Sequence, residues 1–236
     1  MKVLLAVVLM TGVTGVAFAE ERIQGLLALP EVFGSTSCEE FTAEDIPLHA
    51  APNDAKPFAV IRVDRPWSLA PHGGGCDGLQ VRVHQGDQRH ELPTLEYDYE
   101  MPAAIVLDRR EGWYKVRLQD HSGWLKASPV DHFMPLSELY EEFVGVTAIS
   151  KSFTGRLIDA PGSTNGPIMP RVAPNEPVRV VEIKESLGRA WVRVEVLTNS
   201  ACTAGKFGPP EVVATGWLPL HDTGGEPTVW FSSRGC

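Results

Sequence analysis

Side chains able to do covalent or metal chemistry are sparse here: four cysteines and seven histidines in 236 residues. His49, His72, His84, His90, His121, His132 and His221 show no H-E-x-x-H or comparable ligand spacing, so no metal is expected. His121 and His221 follow strand-like segments in turns and read as solvated. Gly73-Gly74-Gly75 lacks the Lys-Ser/Thr and the helix of a phosphate loop and reads as a flexible loop. No carboxylate pair can be nominated as acid and base. The expectation is a protein that is not an enzyme and carries no cofactor. What the chain offers instead is aromatic: Trp113, Tyr114 and Trp124, with Tyr97 and Tyr99 on a preceding segment, then Trp191 and Trp217, with Trp230 and Phe231 near the end. Rings of this kind at strand ends suit stacking on sugars or extended peptides.

Strand alternation ranks these rings. In Trp113-Tyr114-Lys115-Val116-Arg117-Leu118, inward Tyr114, Val116 and Leu118 leave Trp113 facing out beside Lys115 and Arg117. Trp113 is therefore the expected exposed platform, with a basic neighbour to meet a carboxylate. Trp124 is expected in a packing position.

The elements that hold the rings are written twice. Ala104-Ile105-Val106-Leu107 passes through a charged turn into Gly112-Trp113-Tyr114-Lys115-Val116-Arg117-Leu118, and then Gly123-Trp124-Leu125. Val178-Arg179-Val180-Val181-Glu182-Ile183 passes through Ser186-Leu187-Gly188 into Trp191-Val192-Arg193-Val194-Glu195-Val196, and later Gly216-Trp217-Leu218-Pro219. Upstream, Leu48-His49-Ala50-Ala51-Pro52 matches Leu157-Ile158-Asp159-Ala160-Pro161. Ordered self-similarity on this scale means two copies of one small β module. Ala59 to Val63 and Leu79 to His84 alternate as half-buried strands around a Pro/Gly-rich loop over Arg65 to Gly78, and Asn199 to Pro210 is a second insertion.

Gly112-Trp113-Tyr114-Lys115-Val116 followed by Ser122-Gly123-Trp124-Leu125 resembles the signature of the bacterial SH3 (SH3b) family. Trp191-Val192-Arg193-Val194 with Thr215-Gly216-Trp217-Leu218-Pro219 is similar, and the two Leu-to-Pro segments resemble that family's opening strand. The resemblance implies a mainly β fold of two tandem SH3-like small barrels with insertions, joined by a short helix. It also implies binding of cell-wall peptides, peptidoglycan or other proteins rather than catalysis. The insertions fall where ligand-facing loops would be, so the ligand itself does not carry over. The tail Ser232-Ser233-Arg234-Gly235-Cys236 resembles the Ser-x-Gly-Cys nucleophile turn of L,D-transpeptidases, but it lacks that motif's His, and a disulfide accounts for Cys236 more simply.

Residues 1–19 read as a signal peptide: basic Lys2, an apolar run too short to span a bilayer, and Ala17-Phe18-Ala19 before Glu20. A periplasmic or secreted location follows, with no membrane span in the mature chain. In an oxidising compartment four cysteines without C-x-x-C spacing imply disulfides. Three pairings exist; one bridge per module, Cys38-Cys76 and Cys202-Cys236, is the simplest, each closing a loop of about 35 to 39 residues and contributing about 3 to 4 kcal/mol. A formal charge of −9, one unit more negative without Lys2, excludes an electrostatic footprint for nucleic acid.

The expected layout is a first domain over 20–128 with an N-terminal extension, a helical linker over 129–150, and a second domain over 151–236. The extension (Ile23, Leu26, Leu27, Leu29, Val32, Phe33) suits helix or strand equally. Within the linker Ser137 is an N-cap candidate, and Leu136, Leu139, Tyr140 and Phe143 share a face that should dock on the modules. Two functions from different classes fit: a binding module that takes cell-wall material or peptides through aromatic clefts, or a protein-interaction, scaffold or inhibitor-like accessory component of an exported assembly.

Overall fold

In β1 (Gly25–Ala28) and β7 (Met101–Arg110) apolar residues follow one another instead of alternating with polar ones, the pattern of strands covered on both faces. The computed structural model describes residues 21–29, 45–65, 80–98, 101–128, 132–143, 146–163 and 171–232. Tyr99, Cys38, Cys76, Cys236, the expected leader over 1–19 and nearly all of the Arg65 to Gly78 loop lie outside them. Leu27, Ala104 and Val106 enter one core, while Leu26, Ala28, Ala103, Ile105 and Leu107 enter another. Gly25–Ala28 of the N-terminal extension is thus a central strand of the first sheet.

That sheet is antiparallel, in the order β10 (Phe133–Pro135), β1, β7, β8 (Trp113–Arg117), β9 (Ser122–Lys126), with β6 (Thr94–Asp98) along the beginning of β7. The second runs β14 (Val212–Pro219), β13 (Arg189–Leu197), β12 (Pro177–Ser186), β11 (Thr147–Ile149), β15 (Val229–Phe231). The two orders are the same, and so are the registers. Leu27 faces Ala104 and Phe133 as Thr147 faces Val178 and Phe231. Val106 faces Val116 and Val116 faces Gly123, as Val180 faces Val194 and Val194 faces Gly216. Even the irregularity repeats: each second strand bulges after its valine, at Leu107 and at Val181. The duplication read from the sequence therefore extends to the pairing pattern of the five strands the two sheets share.

The segment between β1 and β7 departs from the expectation. Ala59 to Val63 and Gln80 to His84 do not join the first sheet; they belong to a separate four-stranded one, β2 (Ile46–Leu48), β3 (Ala59–Arg65), β4 (Gln80–Gln85), β5 (Gln88–Glu91). Gly86, with φ of 58°, permits the tight turn that pairs β4 with β5, and β2 takes the other side of β3. Leu48, Ile61, Val83 and Leu92 then close over Leu27, Val106, Tyr114, Val116 and Leu125.

The helix α1 (Leu136–Glu142) follows β10 without a loop. Its N-cap is Pro135, extended at ψ 156°, with no side-chain cap bond; Ser137 lies inside the first turn, so the expected Ser137 cap does not form. Docking does occur. Leu136, Leu139 and Tyr140 are buried in the same core as Val178, Val194, Leu218 and Val229 of the second sheet. The Tyr140 hydroxyl donates to the Val229 carbonyl at 2.8 Å, and burial pushes its pKa up. Phe143 stacks on Phe231 with centroids 4.3 Å apart. The stretch from 129 to 150 also supplies a strand to each sheet, β10 to the first and β11 to the second.

Candidate functional site

Alternation sets which way the tryptophans point, and the structure adds what covers them. Trp113, Lys115 and Trp124 lie on the face of the first sheet opposite Tyr114, Val116 and Leu125; Trp191, Arg193 and Trp217 repeat this opposite Val192, Val194 and Leu218. The expected exposure of Trp113 is corrected. Trp113 is 9 %, Trp124 5 %, Trp191 9 % and Trp217 9 % exposed. In each module the segment before the second strand pairs with the outer edge of the fourth: His49 with Trp124, Ile158 with Trp217. The His49 ring meets Trp113 edge-on at 5.2 Å, and Arg110 lies 4.8 Å over Trp124. On the second module Trp191 donates its Nε1–H to Ser186 at 3.2 Å, with Arg189 5.8 Å over its ring. Tyr114, on the other face, is buried against Phe133. All four tryptophans are thus packed rather than exposed.

Nor are Lys115 and Arg117 left to receive a ligand carboxylate. Lys115 pairs with Glu21, which also accepts from Ser122 at 2.9 Å, and Arg117 pairs with Glu226 at 2.7 Å. Burial alone would raise the Glu21 carboxyl, but the hydrogen bonds from Lys115 and Ser122 and the charges of Lys115 and Arg117 outweigh it, and its pKa lies below the usual value. Both cations tie the first sheet to its neighbours, the N-terminal segment and the turn after β14. His221, expected in solvent, is buried in that turn and donates from Nε2 to the Ile23 carbonyl at 2.6 Å. Burial holds its imidazole below the ordinary value, reinforced by Arg22 and Arg189 and opposed by the hydrogen bond to Ile23 and by Asp222.

Open concave surface gathers on one side of the molecule instead. A cleft of about 660 Å³ lies between the sheets, walled by Ile23 and Leu95 on one side and by Ile149, Pro227 and Trp230 on the other, with Lys151 and Glu226 at its polar margin. Half-buried Tyr97 packs beside Leu95 against the same core. Trp230 is half-buried and stacks on Phe231 at 4.7 Å, so its ring is braced from below. A second cleft of about 810 Å³ adjoins through Val146, Ala148, Asn175 and Ser232 and extends under the insertion, past Asn199, Phe207 and Glu211. Both volumes fall in the range that holds a ligand of a few residues. The sequence named Trp230 without ranking it, because its value comes from Leu95 and Ile23, far away in the chain.

Among the described residues no three His, Cys, Asp or Glu side chains are grouped to hold a metal ion, and no helix is long and apolar enough to cross a membrane. Cys202 is disulfide-bonded, with all three candidate partners outside the described residues. No protein-family model, no curated protein and no solved structure matches this chain.

Proposed function

We propose that this chain is an exported, non-enzymatic binding protein of two SH3-like modules, and that it takes an extended peptide in the cleft between the sheets. The observation that carries the reading is the Trp230 cleft: an aromatic ring braced by Phe231, apolar walls from both halves of the molecule, and the Lys151 cation at the rim. The twice-written strand order, with a preceding segment paired to the outer edge of the fourth strand, supports the SH3-like reading of each module. The disulfides Cys38-Cys76 and Cys202-Cys236, the leader peptide and a periplasmic or secreted location belong to the same proposal.

Peptide stems of the cell wall and segments of a partner protein share the chemistry of an extended chain. Sedimentation with insoluble peptidoglycan separates them. Retention that Trp230→Ala reduces assigns the cleft to cell-wall peptides; clean flow-through of folded protein favours the interaction or scaffold reading.

A further inference from the structure

The insertion between β13 and β14 makes the second module differ from the first in one respect. The first module joins its third and fourth strands by the short turn from Leu118 to His121, where Leu118 N–H donates to His121 at 2.8 Å. In the second, β13 and β14 continue past that point: Glu195 faces Thr215, Val196 faces Ala214 and Leu197 faces Val212. Thr198 and Glu211 close the base of the insertion, with Thr198 N–H donating to the Glu211 carbonyl at 2.9 Å and Glu211 N–H to Thr198 Oγ1 at 3.1 Å. The result is an arm that its repeat lacks, and it is where exposed apolar matter concentrates: Phe207 64 %, Val212 48 % and Val213 55 % exposed.

Val212 to Thr215 has β13 on one side and, among the described residues, no strand on the other. From Val212 to Pro219 the strand carries no charge. Edge strands are ordinarily protected by Lys, Pro or an inward charge, and before Pro219 this one has none of these. The arm's described charges are Lys206, which lies 5.2 Å over the Phe207 ring, and Glu211, whose carboxylate has no hydrogen-bond or ion-pair partner among the described residues and lines the larger cleft.

We infer that the β14 edge from Val212 to Thr215 is a docking site for an extended segment of a partner protein. The segment adds as a strand, and a Lys or Arg on it meets Glu211. Only a polypeptide strand matches the alternating N–H and C=O groups of a sheet edge. A cation is selected because the unpaired charge beside the edge is a carboxylate, on a chain of formal charge −9. Phe207 and Val213 supply the apolar contact. This site is separate from the Trp230 cleft and stands without it.

Fluorescence polarisation of fluorescein-labelled peptides tests it, with the sequence Thr-Val-Lys-Val-Thr-Val as probe, its Glu-for-Lys counterpart, and a form N-methylated at alternate residues. The expected result is saturable binding of the Lys probe, about tenfold weaker for the Glu probe and for the N-methylated probe. Glu211→Gln should bring the Lys and Glu probes within about twofold of each other, and Val213→Asp should weaken both about tenfold. Both positions are exposed, so an unchanged thermal midpoint shows that the variants fold. Absence of saturable binding, equal affinity for the Lys and Glu probes, or indifference to N-methylation overturns the inference. So does a concentration-dependent dimer in light scattering that Val213→Asp abolishes, since the edge then takes a second copy of this chain.

Discussion

His49 and Trp124 exchange two backbone hydrogen bonds, each 2.8 Å, and Ile158 and Trp217 exchange the equivalent pair at 3.1 and 2.8 Å. In each module this doubly bonded contact adds the segment to the outer edge of the fourth strand. It brings the His49 ring against Trp113, so a ring that alternation aims outward is nevertheless buried.

Truncating those rings should accordingly unfold the protein more readily. Trp113→Ala and Trp124→Ala should each lose about 3 to 5 kcal/mol, the cost of removing a buried aromatic. Urea unfolding followed by tyrosine and remaining tryptophan fluorescence measures it. A loss below about 1 kcal/mol for Trp113→Ala would restore that ring to the role of an exposed platform.

The helix carries the second prediction. Leu139 is fully buried between the two sheets, and Leu139→Ala should cost about 2 to 5 kcal/mol. Tyr140→Phe should cost about 1 to 3 kcal/mol, because the Val229 carbonyl loses its buried donor. An unchanged thermal midpoint for both variants would make the helix a loose connector.

The third concerns pH. His221 titrates below its ordinary value of 6.5 in the folded protein, so the unfolded chain takes up the proton at higher pH than the folded one. Stability from this group is complete above about pH 6.5 and is lost as pH falls toward the folded value. His221→Gln should flatten the stability profile in that window. Glu21 has a depressed carboxyl and acts lower down: its contribution is present above its ordinary value of 4.5 and disappears as pH falls through the folded value. Identical slopes for wild type and His221→Gln between pH 5 and 7 would contradict the assignment.

Close backbone approach supplies the fourth. A methyl group at Gly25 would run into the Met134 carbonyl and the Phe133 ring, so Gly25→Ala must push β1 away from β10. A loss of about 1 to 3 kcal/mol is expected from this overpacking. Gly225, at φ 79° and against the Glu21 carbonyl, should tolerate alanine no better. Thermal denaturation of Gly25→Ala, with Gly86→Ala as a comparison where φ is positive but space is open, separates contact from backbone strain.

What the sequence made legible was local or repeated. The Gly-Trp-Leu elements and the Leu-to-Pro segments announce the duplication, and the bulges at Leu107 and Val181 follow from it. Leu136, Leu139 and Tyr140 are readable as a docking face by spacing alone. The covering of Trp113 was not legible, since alternation fixes the direction of a side chain and says nothing of the His49 segment that arrives from 64 residues earlier. The pairing of Lys115 with Glu21 and of Arg117 with Glu226 was hidden for the same reason. His221 looked like any turn histidine until Ile23 closed on it. The separate sheet from β2 to β5 was missed because strand-like alternation at Ala59 to Val63 does not name the partner strand.

The measurement that bears most directly on the binding reading is sedimentation of purified wild-type and Trp230→Ala protein with insoluble peptidoglycan, alongside a folding check by circular dichroism. The account predicts that wild type is retained and that folded Trp230→Ala is retained about tenfold less, the loss expected when a central aromatic anchor is removed. Equal retention of the two proteins would contradict the assignment of the cleft, and a folded wild type that passes entirely into the supernatant would contradict its cell-wall form.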